Sequence, residues 1–197
     1  MNRLEEISSR ILARLEKDLA PTLYYHGLYH TKDVVGATKE ICTAEGVSGT
    51  DLELLLVAAA FHDCGHLVAY TNHEEASCGI AYFMMYEAGY TMEEIQIVCG
   101  MIMATKVPQK PKNKLEQIIC DADLDYLGRT DYDKISGYLY KEFCAWDVLC
   151  GERNWIERQI SFLNVHQYWT DFSKENRQSG KREQIALLDK KLAQLED

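Results

Sequence analysis

Apolar residues recur every three or four positions along most of this chain, the spacing that places them on one face of an α-helix. Leu4, Ile7, Ile11, Leu15 and Leu19 line a first amphipathic helix that stops at Ala20-Pro21, since proline cannot continue it. The turn YYHGLYHT leads into a helix from about Lys32 to Glu45. GVSGTD then interrupts, and Thr50 is the expected N-cap of an apolar helix over 51–64. Helices near 73–89 and 91–105 follow, parted at Gly89. KVPQKPKNK (106–114) holds four lysines and two of the chain's three prolines and reads as a loop. Leu115 to Leu127 is helical again, with further helices near 131–150 and 152–173. Ile185, Leu188, Leu192 and Leu195 repeat at a/d spacing in a charged terminal helix. No alternating pattern long enough for a strand is present, so the expected architecture is all-α. A single domain over 1–197 is expected, with its core at about 24–130 and C-terminal helices over 131–197.

One segment stands apart. LLLVAAAF, beginning at Leu54, is an unbroken apolar run that ends in HDCGH. It is much shorter than the roughly 20 residues that span a bilayer, so it belongs in a core. Yet it delivers His62, Asp63 and His66 to that core. Burying such groups without partners costs roughly 2–7 kcal/mol for a neutral group and more for an ion. A metal ion can satisfy histidine and aspartate together. His26 and His30 stand four apart just upstream and share a helical face. IICDADLDYL adds three aspartates: on a helical wheel Asp123 falls within the apolar arc, Asp121 lies opposite and Asp125 near an edge. Asp121 and Asp125 therefore read as solvated charges and Asp123 as the carboxylate facing inward.

Composition narrows the partners. Of 197 residues 47% are apolar and 26% charged, with 31 acidic against 21 basic and a net charge of -10. An acidic surface repels nucleic-acid polymers and anionic membranes, but leaves room for a small anionic substrate, since a local basic patch or a metal can override the mean field. MNRLEEISSR lacks a signal-peptide profile. Seven scattered cysteines, with no CxxC pair, read as reduced thiols of a cytoplasmic protein.

An isolated histidine, a His-Asp doublet and a distant aspartate on a helix resemble the HD superfamily of metal-dependent phosphohydrolases. The resemblance rests on YHTKDVV around His30, FHDCGH around His62-Asp63 and ADLDYL around Asp123, and covers about residues 24–130. It implies an all-α domain holding a divalent metal (Mn, Fe, Co, Ni, Zn or Mg) through His30, His62, Asp63 and Asp123, and hydrolysing a phosphate ester or phosphodiester of a nucleotide or related metabolite. Asp63 and His66 are then the expected catalytic pair, His66 as proton donor or phosphate contact. Some branches hold two metals with extra histidines; His66 and His73 are candidates, but Thr105 stands where those branches carry a histidine, so about one metal per chain is expected. His26, His73, Lys106, Asp121 and Arg129 complete the candidates for supporting or substrate contacts, Lys106 and Arg129 because local cations attract phosphate in an acidic chain.

Rival readings differ in chemistry. HDCGH also resembles the HExxH signature of zinc proteases, but its aspartate is too short for the general base and Gly65 weakens the helix that motif needs. A non-catalytic metal or nucleotide sensor with the same fold is the alternative, with the terminal helix as a homodimer contact or, more simply, packed on its own domain. Oxygen chemistry on two irons, used by a few branches, is disfavoured by Thr105.

Overall fold

The computed structural model describes residues 2–195, and among them there are ten α-helices and no strand. The order is α1 (Arg3–Asp18), α2 (Leu28–Ala44), α3 (Gly49–Phe61), α4 (His73–Glu87), α5 (Met92–Ala104), α6 (Lys114–Asp123), α7 (Tyr132–Ala145), α8 (Glu152–Val165), α9 (Asp171–Asn176) and α10 (Gln178–Gln194). Short 3-10 turns at Cys64–Leu67 and Asp125–Gly128 follow α3 and α6.

α3 is the central element because it is apolar on every side, which leaves it no face to give to water. Leu54, Leu55 and Val57 to Phe61 are all buried, with α1, α2, α5 and α6 packed around them. Arg3 fastens this assembly at its edge, 2.6 Å from Glu53 of α3 and 2.7 Å from Glu94 of α5. Asn2 with Glu5, and Thr91 with Glu94, form reciprocal caps at the starts of α1 and α5, satisfying backbone donors that have no partner within the helix. The cap of α3 is Ser48 rather than Thr50. The helix begins at Gly49, two residues before the expected start at 51.

A second apolar cluster joins Tyr25, Leu124, Tyr126, Leu127, Tyr132, Ile135, Ile156, Leu163 and Leu188. It draws on α7, α8 and α10 and closes over the end of α6. Ile185, Leu188 and Leu192 of α10 pack into this cluster, so the a/d stripe of the last helix faces its own chain. Leu195 stays exposed. Two expected long helices are divided: 131–150 ends at Ala145, and 152–173 ends at Val165 with α9 set apart. Cys144 and Cys150 are joined as a disulfide across the turn after α7, which corrects the expectation of seven reduced thiols; five cysteines are free. No helix among the described residues is long and apolar enough to cross a membrane.

Candidate metal centre

The apolar helix α3 stops at Phe61, and His62 keeps helical dihedrals as its C-cap while Asp63 turns away at φ -105°, ψ 3°. That change of path is what lets two adjacent side chains face the same point, since on a continuing helix they would diverge by about 100°. Ser77 of α4 clamps the turn: it accepts a hydrogen bond from Gly65 N at 2.8 Å and donates to the His62 carbonyl at 2.6 Å. Gly65 is required there because a Cβ would meet the His73 carbonyl oxygen at 1.9 Å. Gly65→Ala must push α4 from the doublet. We expect it to lose roughly 2–4 kcal/mol of stability, read by thermal denaturation, together with part of its metal content.

His30, on the first turn of α2, is buried and stacked under the Tyr25 ring at 4.5 Å. Its Nε2 lies 3.2 Å from Asp123 Oδ1, 3.4 Å from Asp63 Oδ2 and 3.2 Å from His62 Nε2. His62 Nε2 lies 3.2 Å from Asp63 Oδ2 and 3.5 Å from Asp123 Oδ1. His62 Nδ1 donates to the Ala59 carbonyl at 2.9 Å, because a carbonyl can only accept. In the neutral ring that leaves Nε2 with a lone pair aimed at carboxylate oxygens. Asp63 Oδ2 is buried and receives no hydrogen bond. The histidine–carboxylate and histidine–histidine spacings of 3.2–3.5 Å among these donor atoms match neighbouring ligands of an ion with bonds near 2.0–2.2 Å, about 3.3–3.6 Å apart in a tetrahedral set. These residues fit a divalent cation.

The charge balance agrees. Burial opposes the charged form of both aspartates, but the neighbouring histidines hold Asp63 well below the usual carboxylate range and Asp123 at about 2. Burial likewise opposes protonation of His62 and His30, and the two carboxylates outweigh it, raising both histidines. The pocket therefore demands positive charge, whether protons or a metal supply it. Gln109 adds an amide 3.4 Å from Asp123 Oδ2 and 3.2 Å from the Cys120 carbonyl.

A cavity of about 500 Å³ opens over this cluster, with Asp63, Asp123, His26 and His73 at its floor. Tyr25, Tyr126, Leu139, Phe143 and Phe162 form apolar walls, and Lys106 and Arg158 also line it. Lys106 Nζ is steered by Glu75 at 2.6 Å and Asn72 at 3.3 Å. His73 Nε2 lies 3.4 Å from Asp63 Oδ1 and 3.5 Å from Glu74 Oε1.

Several expected roles change. His66 is buried and is not among the residues lining the cavity, and burial lowers its pKa to about 3, so its imidazole is neutral near neutral pH. Asp121 is fully buried rather than solvated: it accepts from the backbone N–H of Trp169 at 3.0 Å and of Thr170 at 2.8 Å, and from Thr170 Oγ1 at 2.7 Å. Asp125 is buried too, held by Arg177 at 2.7 Å and Arg129 at 3.3 Å. Arg129 is absorbed by Asp131, Asp33 and Asp125 and does not line the cavity.

Three residues escaped the sequence reading. Glu142 of α7, fully buried, accepts from Tyr25 N at 2.8 Å, His26 N at 3.1 Å and the His26 ring Nδ1. Arg158 and Gln109 were the others. In sequence all three look like surface polar residues, and no local spacing marks them.

A model of the HD domain family matches residues 27–125, half of the chain. No curated protein matches the sequence. Among solved structures, that of a predicted HD superfamily hydrolase from an uncultured Thermotogales bacterium is similar, with a TM-score of 0.64 and 19% identity over 98% of this chain and 94% of that one. At that identity the likeness shows the fold. His30, the His62-Asp63 doublet and Asp123 all lie within the matched span, in the order and helical settings of the motif, and this chain belongs to the HD-domain family.

Proposed function

We propose that the chain is a metal-dependent phosphohydrolase acting on a phosphate ester or phosphodiester of a small metabolite, of nucleotide size. The observation that carries this reading is the convergence of His30, His62, Asp63 and Asp123, with an orphaned Asp63 oxygen, where the two aspartates line a cavity that Lys106 and Arg158 also line. When bound there, a divalent cation polarises a phosphoryl oxygen and lowers the pKa of water.

The chain's own residues do the rest. Lys106 and Arg158 attract and orient an anionic group, an effect concentrated locally in a chain of net charge -10. Tyr25, Tyr126, Phe143 and Phe162 offer aromatic surface to the part of the substrate that does not react. A cavity of about 500 Å³ falls within the range of small-molecule sites. Tyr25, stacked on His30, and Ala59, bonded to His62, hold both imidazoles in one orientation before any ligand arrives.

The test is a panel of phosphomonoesters and phosphodiesters assayed with the metal found in the purified protein. Arg158→Ala is expected to raise KM about 10–100-fold with a smaller change in kcat, since a charged hydrogen bond contributes about 1.5–3 kcal/mol. Bound metal with no turnover across the panel would instead make this a sensor module.

A further inference from the structure

Beside the cavity over the metal centre lies a smaller one, of about 150 Å³. Val107, Leu124 and Phe162 line both, so the two adjoin. Gln109, His166 and Trp169 line the smaller cavity and not the larger. Each of the three keeps one polar atom buried and without a hydrogen-bond partner among the described residues: Gln109 Oε1, His166 Nε2 and Trp169 Nε1. Buried polar groups are nearly always paired, so three unpaired ones around one cavity call for a polar guest. We propose that this cavity is a recognition subsite for a pyrimidine-type ring, the imide of a uracil or thymine, at the non-reacting end of the substrate.

The surroundings fix what each atom can do. Gln109 directs its amide N–H groups to the Cys120 carbonyl at 3.2 Å and to Asp123 Oδ2 at 3.4 Å. Both of those only accept, which leaves Gln109 Oε1 as a free acceptor. The indole Nε1–H of Trp169 can only donate. Lys181, buried, brings Nζ to 2.5 Å from the His166 carbonyl and 3.3 Å from His166 Nδ1. An ammonium only donates, so Nδ1 accepts and the proton of the neutral ring stands on Nε2. The ring is neutral because burial, helped by the Lys181 charge, lowers its pKa to about 3. The cavity therefore offers two donors and one acceptor. An imide edge carries two carbonyl oxygens and one N–H, which is the complement. A cavity of about 150 Å³ holds one six-membered ring.

The frame is set before any ligand arrives. Asp121, on the same helix as Asp123, accepts from Trp169 N at 3.0 Å. The rings of Phe162 and Tyr168 flank the His166 imidazole at 6.1 and 4.7 Å. Through Asp121 and Gln109 the subsite is tied to α6, which fixes its position relative to the metal centre. His166, Trp169 and Lys181 lie outside the span that matches the HD-domain model, so this selectivity belongs to the C-terminal part of the chain and not to the motif.

The place of the ring in a substrate rests on the phosphohydrolase reading, but its binding can be read without hydrolysis. Uridine, which carries no phosphate, is titrated into the full chain as purified and followed by isothermal titration calorimetry. Saturable binding is expected, with 3-methyluridine, whose N–H is blocked, weaker by about tenfold or more. Trp169→Phe and His166→Phe, each checked by its melting curve, should weaken uridine about tenfold. No binding of uridine, equal binding of 3-methyluridine, or folded variants that bind as the wild type does overturns the subsite. Uridine bound as expected, with no turnover of uridine 5′-monophosphate or any other phosphate ester, leaves the subsite standing and removes the phosphohydrolase reading instead.

Discussion

Asp63→Asn protein is expected to fold, to purify with less than a tenth of the wild-type metal, and to lose hydrolysis by about 10³-fold or more. Asparagine keeps the shape of the turn after α3 but removes the negative charge that His30 and His62 face at 3.4 and 3.2 Å. It also puts an amide, a donor or a neutral acceptor, where a buried carboxylate oxygen has no hydrogen bond to lose. Folding should survive because the turn is held by Ser77 and the Gly65 contact, neither of which uses the Asp63 side chain. Circular dichroism and elemental analysis on the same preparation decide the matter. A folded variant with full metal content would remove Asp63 from the centre.

Asp121 and Asp123 should give opposite phenotypes although one residue separates them. Asp123 Oδ1 is 3.2 Å from His30 and 3.5 Å from His62, so Asp123→Asn should lose metal and turnover together while remaining folded. Asp121 touches no histidine. It accepts two backbone N–H groups and a hydroxyl from Trp169 and Thr170, fixing the segment between α8 and α9 against α6. Asp121→Ala leaves those donors buried and unpaired, at about 1–3 kcal/mol each, though not additively. A loss of about 3 kcal/mol is expected, which lowers Tm by about 6–12 °C in a chain this long. The folded fraction should keep its metal. Metal analysis and melting curves on Asp121→Ala and Asp123→Asn give the answer. If Asp121→Ala loses metal at unchanged Tm, the two roles are reversed.

Much of this protein was legible in its sequence. The 3.6-residue spacing of Ile7, Ile11 and Leu15 on α1, and of Ile185, Leu188 and Leu192 on α10, marks faces that are in fact covered. An apolar run with polar residues only at its end, Leu54 to His66, announced both the central helix and the centre at its C-terminus. His62, Asp63 and Asp123 drew notice because each sits on or beside an apolar helical stripe, where a charged or polar side chain needs a partner, and His30 joined them through the family resemblance; the structure brings the four side chains together.

What periodicity cannot report is which later part of the chain covers a polar face. A helical wheel over 115–127 gives Asp121 to solvent and sets Asp125 near an edge, yet Trp169, Thr170 and Arg177, some 50 residues on, bury them. Glu142 reads as one charge among the polar residues of α7 until the fold brings it against His26, 116 residues away in sequence. His66 looks like a half-exposed residue after a glycine until α4 folds back along Gly65 and stacks His73 on it. Local pattern records the free energy of burying apolar surface, which depends on short-range spacing. The matching of buried polar groups depends on long-range contacts, and only the tertiary structure decides those.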